Sequence, residues 1–405
     1  MLSLFSGCGG MDIGFEGGFI APRKSFERDS CLVDTEIDEK WVKVKKNRFT
    51  TIFANDILPE AQVGWTHFMQ RYGHAPETYK RMSIVDLVKM HNQGMEVFPK
   101  DVSVVTGGFP CQDFSVAGKR KGFDSHKDHE GKMRTDDVPT EESRGKLYCW
   151  MKQVIDITKP KIFVAENVKG LVSLGDVKRI IQQDFASADG DGYIVLEPQV
   201  LHAGNYGVPE SRERVIFIGV RISALLPEAL EALRSDVLPE KYNPYPKPTH
   251  NCTAHNEKLL PIVTTQDVLG DLPEPEDAAD LAQGVYSKAK FQTNGSQGQA
   301  EIKLDSLGPT IRSEHHGNIE FRRLSAEHGG KHLEELKKGM KERRLTPREC
   351  ALIQTFPPDY EFVIKGELSA SAAYKVIGNA VPPLLAFHIA QRLEEVWPLY
   401  FGNNG

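Results

Sequence analysis

Residues 104–115 read VVTGGFPCQDFS: an apolar β-branched run, two glycines, a proline and a single cysteine. So short an apolar run beside turn residues predicts a buried strand, Val102–Val105. The glycines permit a tight turn or a close backbone approach to a ligand, and Pro110 favours extended geometry before it. The pattern presents Cys111 at the carboxyl end of a strand, where open α/β sheets bind ligands. Composition alone also allows a small buried thiol.

The composition is typical of a soluble globular protein, with 40% hydrophobic and 26% charged residues among 405, enough for two domains. No apolar run reaches membrane-spanning length and no export signal opens the sequence, so we expect a cytoplasmic protein. The six cysteines occur singly, without CxxC or zinc-finger spacing, which predicts reduced thiols and no metal site. The net charge of -6 leaves nucleic-acid binding open, because binding follows the local field of a cleft.

A second glycine-rich turn, SGCGG at residues 6–10, follows the predicted strand Met1–Phe5 and precedes a helix-like stretch. Such a turn lets backbone N–H groups approach a cofactor, although it is neither a GxGxxG fingerprint nor a P-loop. About one βαβ unit later, Thr51–Asp56 predicts a strand that ends in an acid suited to ribose hydroxyls. A helix N-cap is the alternative role for that acid. Asp86 follows another short apolar run and is a candidate partner for an adenine amino group.

Two further predicted strands lie next to charged side chains. Lys161–Ala165 predicts a buried strand followed directly by Glu166, and a carboxylate there is costly to bury without a role or a partner. Val215–Gly219 predicts another strand, and the alternation before it puts Arg212 and Arg214 on one face. Glu166 is thus expected at the sheet edge that carries Cys111, and the two arginines on one face of their own strand.

The segment from Gly118 to Gly145 is polar, carries charges of both signs and shows almost no apolar periodicity. This pattern predicts a long loop next to the candidate nucleophile. A lid over the site and plain disorder are equally compatible with the sequence.

Taken in order, these motifs resemble those of the cytosine-C5 DNA methyltransferase family of restriction-modification type. The matching stretches are Leu4–Gly10, Gly108–Gln112, Glu166–Val168, Arg212–Arg214, Arg344–Cys350 and Gly378–Pro382. They span nearly the whole chain. Agreement of six motifs in order is highly specific, whereas any one of them alone would be weak.

The resemblance implies an α/β fold: a Rossmann-like, doubly wound S-adenosylmethionine-dependent methyltransferase domain with an inserted, smaller target-recognition domain. We predict a large domain at 1–222, a small domain at 223–345, a hinge at 346–371 and a return to the large domain at 372–405. Duplex DNA would then lie in the cleft between the domains.

The resemblance also implies a mechanism. Cytosine C5 becomes nucleophilic after a thiolate adds at C6, and Cys111 is the implied nucleophile. Glu166 would hydrogen-bond N3 and the exocyclic amine, while Arg214 and Arg212 would orient the base or the carboxylate. The implied cofactor is S-adenosyl-L-methionine. Its implied site is lined by Phe5, Ser6, Gly7, Gly9, Gly10, Asp56, Ile57, Asp86, Leu87, Pro110, Asn379, Ala380 and Val381.

The cytosine must be flipped out of the duplex to be reached. The implied DNA contacts are Gln112, Ser115, Lys119, Arg120 and Lys121 after the cysteine, and Thr310, Ile311, Arg312, His315, Asn318, Arg322 and Arg323 in the small domain. The last five of these, from Arg312 to Arg323, are each more typical of a solvated surface.

The chain departs from the family pattern at three places. Ser3 stands where many members have an acid, and Glu210 stands where a glutamine usually precedes the arginine motif. The stretch from Asp124 to Glu142 lengthens the catalytic loop, which we interpret as an elaborated lid. None of these positions holds the central chemistry.

Three alternatives remain at the level of sequence: an RNA cytosine-C5 methyltransferase, a catalytically inactive DNA-binding regulator, and an unrelated thiol enzyme. The long variable region favours DNA over RNA. The intact Cys111, Glu166 and Arg214 disfavour the regulator, and the lack of a paired cysteine disfavours the thiol enzyme. We expect a monomer without membrane association, with a cognate restriction endonuclease as a candidate partner.

Overall fold

The computed structural model describes residues 1–110, 146–190, 192–253, 256–293, 297–313 and 319–402. Its strands are β1 Leu2–Leu4, β2 Ile20–Pro22, β3 Val33–Glu36, β4 Trp41–Val44, β5 Phe53–Asp56, β6 Tyr79–Arg81, β7 Val104–Gly108, β8 Ile162–Val168, β9 Tyr193–Val195, β10 Gln199–His202, β11 Glu213–Arg221, β12 Phe321–Arg323 and β13 Arg343–Arg344. Its helices are α1 Gly10–Glu16, α2 Pro59–Met69, α3 Ile84–Asn92, α4 Leu147–Thr158, α5 Val177–Ala186, α6 Pro227–Arg234, α7 Thr265–Leu269, α8 Leu333–Lys337, α9 Pro347–Ile353, α10 Ala370–Asn379 and α11 Pro383–Phe401. Cys111 and the predicted loop 118–145 lie outside the described residues.

The main sheet contains eight strands within the described ranges, and seven of them lie in the order β10-β11-β8-β7-β1-β5-β6. Strands β8, β7, β1, β5 and β6 are parallel, whereas β11 runs antiparallel to β8, β9 and β10. The chain proceeds from β1 outward to β5 and β6, and β7 then begins the other half. The switch point therefore lies between β1 and β7, where ligands bind in open α/β sheets.

Helices cover both faces of this sheet, which confirms the doubly wound α/β fold. The apolar residues of α3, α4 and α5 form one core with Leu2, Leu4 and Phe163 of the sheet. Those of α1, α2, α10 and α11 form a second core with Val104 and Ile218 on the opposite face. Parallel strands are buried on both faces, which explains why they appear in the sequence as short continuous apolar runs.

The connection between the parallel strands β1 and β5 contains α1, as expected, and also an insertion. After α1 the chain forms a three-stranded antiparallel sheet in the order β2-β4-β3, and only then enters β5. The alternation in β4, where Val42 and Val44 are buried and Lys43 is exposed, is the pattern of a half-buried strand. Lys24 and Lys40, which lie beside this added sheet, pair with Asp267 at 2.6 Å and with Asp271 at 3.3 Å, in the segment predicted to form the small domain.

The predicted domain division at residue 222 stays a prediction, and the chain remains on the large domain for some distance beyond it. The Leu226 amide donates to the Tyr400 carbonyl at 2.8 Å, and the Tyr245 hydroxyl donates to the Ile216 carbonyl at 3.1 Å. The Pro-rich stretch at residues 242–248 therefore packs on β11 and, through the Tyr242 carbonyl that accepts from the Tyr400 hydroxyl, on α11. Among the described residues, no helix is both long and apolar enough to cross a bilayer.

Both ends of the chain meet where α1 crosses α11. A Cβ atom built on Gly14 would lie 2.3 Å from the Pro383 carbonyl oxygen and 2.7 Å from the Phe387 amide nitrogen. These are backbone atoms that have little freedom to move. Glycine is therefore required in α1, although it disfavours helix.

We predict that Gly14→Ala destabilises the protein by about 1–3 kcal/mol, because the added methyl group overpacks this crossing. Helix propensity alone would make the substitution stabilising, raising the free energy of unfolding by about 1 kcal/mol. Denaturant unfolding measures the difference. Gly284→Ala is the control, since its nearest neighbour would be 3.5 Å away. A Gly14→Ala protein that is as stable as the wild type or more stable would contradict the packing argument.

Candidate active site

The carboxyl ends of β1, β5, β7 and β8 lie side by side at one edge of the main sheet, together with the start of β11. The register pairs Gly108 of β7 with Glu166 of β8, and Val168 of β8 with Arg214 of β11. This arrangement brings together the predicted carboxylate, one predicted arginine and the strand that leads to Cys111.

Glu166 and Arg214 form a buried ion pair. The Arg214 Nε atom lies 2.7 Å from Glu166 Oε1, and the side chains are 11% and 10% exposed, respectively. Burial raises the pKa of the Glu166 carboxyl, while Arg214 and then Arg212 act in the opposite direction. Desolvation therefore favours the neutral acid, which can donate a hydrogen bond, and the arginines limit how far the pKa rises.

The Glu166 carboxylate also lies directly over β7. A Cβ atom on Gly108 would come within 2.8 Å of Glu166 Oε2, so only glycine leaves room for the carboxylate. The neighbouring Asn167 is buried, and its Nδ2 atom donates to the Phe109 carbonyl at 3.1 Å. Strand β8 thus holds the backbone one residue before the half-buried Pro110. Sequence reasoning gave Asn167 no role, although it lies inside the motif that carries Glu166.

The glycine-rich turn after β1 contains left-handed backbone at Phe5, Gly7 and Gly9, with φ values of 52°, 54° and 88°. Left-handed geometry at Phe5 is uncommon for a bulky residue and marks a turn held by its surroundings. The Gly7 amide donates to Asp56 Oδ2 at 3.1 Å, and the Tyr79 hydroxyl donates to the Gly7 carbonyl at 3.1 Å. The turn is thereby fixed to the ends of β5 and β6.

The residues around this turn fit an adenosyl group. Asp56 accepts the amides of Gly7 and Leu58 on different oxygens, at 3.1 and 3.0 Å, and the carboxylate keeps acceptor capacity for a ribose hydroxyl. Ile57 is 41% exposed next to the carboxylate and offers an apolar face. Among the described residues, apart from Gly7's chain neighbours, no atom would lie within 4 Å of a Cβ on Gly7. Burial raises the pKa of Asp56, against its hydrogen bonds to Leu58, Gly7 and Ile57.

The other predicted cofactor residues approach the turn from two sides. In the turn itself, Ser6 is half-buried, and Gly9 and Gly10 are buried. Just before α11, Asn379 is exposed, and Ala380 and Val381 are buried. A Cβ on Gly10 would lie 2.2 Å from the Val381 carbonyl oxygen, so this segment touches the turn. Asp86 lies half-buried in the first turn of α3, and the Leu87 side chain is buried in the core beneath it.

Beneath the turn lies a buried acid that sequence reasoning missed. Asp12 accepts hydrogen bonds from the Ser3 hydroxyl at 2.5 Å and from Trp65 Nε1 at 2.7 Å. Burial raises the pKa of Asp12 to about 6 against both hydrogen bonds. The departure at Ser3 is therefore accompanied by a carboxylate supplied from α1. The sequence signal for this buried acid was an aspartate two residues after the pair Gly9 and Gly10. An acid at that place is also typical of the first turn of a helix.

Arg212, predicted to orient the base, donates to backbone carbonyls instead. Its Nη1 atom donates to Ile311 at 2.8 Å, and its Nη2 atom donates to Gly378 at 3.0 Å and to Ala380 at 2.7 Å. The side chain is fully buried. These contacts support a structural role, and direct contact with the base stays a prediction.

The predicted DNA-reading residues are divided between the surface and the interior. The Thr310 hydroxyl donates to the Ser211 carbonyl, and the Ile311 side chain is buried in the core. Arg312 is the more accessible, with its side chain 37% exposed. Gln112, Ser115, Lys119, Arg120, Lys121, His315 and Asn318 lie outside the described residues.

Arg322 and Arg323 are buried, so the expectation that they are solvated surface residues is wrong. Arg322 pairs with Glu335 at 3.4 Å, and Arg323 pairs with Glu335 at 3.0 Å and with Glu274. A DNA contact by either guanidinium stays a prediction that would require these pairs to open. Within the described part of the chain, no group of three or more histidine, cysteine or acidic side chains is arranged to hold a metal ion.

The chain resembles known DNA methyltransferases along its length. It is 31% identical over 422 aligned positions to the type II methyltransferase M.BspRI of Lysinibacillus sphaericus, covering 100% of this chain and 83% of that protein. It is 32% identical over 405 positions to the type II methyltransferase M.BsuRI of Bacillus subtilis, covering 96% and 78%, respectively.

Solved structures show the same fold at lower identity. A DNMT2 mutant of Spodoptera frugiperda has a TM-score of 0.54 at 18% identity and covers 98% of both chains. The Dnmt2 methyltransferase of S. pombe has a TM-score of 0.52 at 18% identity and covers 97% of this chain and 98% of its own. The family model of the C-5 cytosine-specific DNA methylases matches residues 1–395. Because that match spans almost the whole sequence, the chain belongs to the C-5 cytosine-specific DNA methylase family.

Proposed function

We propose that this chain transfers a methyl group from S-adenosyl-L-methionine to C5 of a cytosine within a short, specific sequence of duplex DNA. The observation that carries the proposal is the buried pair of Glu166 and Arg214 at the edge of the sheet, beside the strand that leads to Cys111. A neutral or shared carboxyl at this place suits the N3 and amine edge of a flipped-out cytosine. Type II methyltransferase relatives support a role in restriction and modification, and a cognate endonuclease is the candidate partner.

In the proposed reaction Cys111 adds as a thiolate to C6 of the cytosine, and electron density moves toward C5. Glu166 donates to N3 as the negative charge develops there, and Arg214 keeps the carboxyl in place. C5 accepts the methyl group as the bond between methyl and sulfur breaks, which would leave the demethylated cofactor. Loss of the C5 proton to water, elimination of the Cys111 thiolate and return of the N3 proton to Glu166 then restore the ring and the acid. Asn167 and Gly108 fix the backbone and the space that this geometry needs.

The cofactor supplies an electrophilic methyl group when bound. Asp56 would hold its ribose, Ile57 would contact its base, and the turn at residues 5–10 would allow its close approach to the backbone. Asn379, Ala380 and Val381 would close the site from the side of α11. The proposed role of the small domain is to read base edges, with Arg312 the most accessible of its described candidates.

The proposal is tested by bisulfite sequencing of DNA from a host that lacks other cytosine methylation and expresses either this chain or its Cys111→Ser variant. Protected cytosines in one sequence context, absent with the variant, are expected. If neither protein protects DNA, transfer of labelled methyl groups to total RNA decides between an RNA substrate and an inactive regulator. Activity in a cell of this kind also tests the expected cytoplasmic location.

We predict that Gly108→Ala lowers kcat by about tenfold to a hundredfold, because its methyl group would displace the Glu166 carboxylate and misplacement of catalytic groups costs this much. The matched control is Gly107→Ala, whose Cβ would meet the flexible end of Met151 at 2.9 Å. Initial rates of methyl transfer distinguish the two variants. Equal losses in both would show that the space over Gly108 is not specific to catalysis.

We predict that kcat/KM falls as pH rises through the raised pKa of Glu166, since the protonated acid is the form that donates to N3. Glu166→Gln should remove this alkaline limb and lower activity. In Arg214→Gln the alkaline fall of the remaining activity should occur at a higher pH, because Arg214 lowers the pKa of Glu166. The measurement is the pH profile of each protein, and a limb that persists in Glu166→Gln would assign it to another group.

We predict that Asp56→Ala raises KM for the cofactor by about tenfold to a hundredfold, the effect of losing about 1.5–3 kcal/mol of hydrogen bonding to a charged group. The value of kcat at saturating cofactor should change little. Steady-state kinetics separate these parameters, and Asp29→Ala, at an exposed acid, is the control. A loss confined to kcat would place Asp56 in the chemistry instead of in cofactor binding.

A further inference from the structure

The two predicted domains meet at a turn, residues 209–212, in which Pro209, Glu210 and Arg212 are buried. Its first charged side chain, Glu210, has no part in the proposed chemistry. Glu210 is fully buried. Its Oε1 atom accepts the Ile311 amide at 2.7 Å and lies 3.5 Å from Arg212 Nη1. A buried carboxylate is costly unless it is paired, so this arrangement calls for a functional or structural reason.

On one side, the turn holds the segment that leads into the candidate DNA-reading residues. The Gly308 amide donates to the Pro209 carbonyl at 2.9 Å, and the Ser211 amide donates to the Gly308 carbonyl at 2.8 Å. The Glu210 carboxylate then accepts from the Ile311 amide, and the Arg212 guanidinium donates to the Ile311 carbonyl. These four hydrogen bonds fix the register of residues 308–311 immediately before Arg312.

On the other side, the same turn holds the segment that leads into the candidate cofactor residues. Arg212 donates to the carbonyls of Gly378 and Ala380. A Cβ on Gly378 would lie 2.2 Å from the Arg312 carbonyl carbon, so the two segments also touch each other directly. The next residue along, Val381, contacts Gly10 of the glycine-rich turn.

From these contacts we propose that Glu210 and Arg212 are positioning residues that couple DNA binding by the small domain to cofactor binding by the large domain. The coupling rests on the proposed function. DNA that orders residues 308–312 would, through Arg212, also order residues 378–381, and bound cofactor would act in the reverse direction by the same factor. The contacts form one continuous buried path between the two segments.

The charge of Glu210 has a separate role from its hydrogen bond. Glu210 Oε2 has no hydrogen-bond partner among the described residues, so a glutamine could keep the contact to Ile311 without losing another. What a glutamine removes is the negative charge beside Arg212. Glu210→Gln therefore tests the charge, and Glu210→Ala tests the charge and the hydrogen bond together.

The experiment measures binding of S-adenosylhomocysteine to the full chain with and without unmethylated plasmid DNA that contains mapped target sites. The ratio of the two dissociation constants is the coupling factor. In the wild type we expect DNA to tighten binding severalfold. In Glu210→Ala we expect a coupling factor near one and about a tenfold higher KM for DNA, with kcat within about threefold. In Glu210→Gln we expect a reduced coupling factor, and a KM for DNA at saturating cofactor that rises by the factor of coupling lost.

Glu301→Ala is the matched control. Its carboxylate accepts the Leu324 amide at 3.0 Å and the Lys331 amide at 2.6 Å, all within the small domain, so it should lower stability without changing the coupling factor. Thermal unfolding verifies that each variant is folded. If Glu210→Ala does not fold, the coupling factor of the isosteric Glu210→Gln alone tests the inference. A wild-type coupling factor in Glu210→Gln, or no coupling in an active wild type, overturns the inference. A wild type that transfers no methyl group to DNA overturns the proposed function instead.

Discussion

A carboxylate buried at the end of an internal strand is the constraint on which the site depends. Glu166 cannot be held there in water-excluded surroundings without a nearby positive charge. The sheet supplies the charge because β11 is antiparallel to β8 and begins at the edge where β8 ends. A parallel strand in that position would begin at the opposite edge, far from Glu166. The reversal of direction at β11 is thus what brings Arg214 within 2.7 Å of the acid.

A second requirement is close approach without side chains. Gly108 leaves room for the Glu166 carboxylate, Gly14 for the crossing of α1 and α11, and Gly378 for the backbone at residue 312. At all three positions a methyl group would meet a carboxylate or the backbone within 3 Å. The segments so joined come from the beginning, middle and end of the sequence. Motifs scattered over the whole chain therefore form one site.

Sequence patterns predicted the strands of the main sheet well, because buried parallel strands are short apolar runs that end at glycines or acids. They predicted Glu166 at the end of a buried strand, and Arg212 and Arg214 on one face of another, but they did not reveal the antiparallel direction of β11 that brings Arg214 to Glu166. They failed between β1 and β5, where alternating valines and charged residues in β4 form an added antiparallel sheet. They also missed Asp12, because its partners Ser3 and Trp65 lie on different elements and nothing in the local pattern links them.

The same limit explains the arginines of the small domain. Arg322, Arg323, Arg343 and Arg344 occur in two adjacent pairs that resemble a basic surface, yet all four are buried. Arg343 pairs with Glu349 at 2.9 Å and with Glu274 at 3.1 Å, carboxylates that lie 6 and 69 residues away. Arg344 donates to the carbonyls of Ala289 and Gly298. Charges neutralised internally in this way contribute little to the external field. The net charge of the chain is therefore a poor guide to DNA binding, which depends on cationic side chains that are not committed to such pairs.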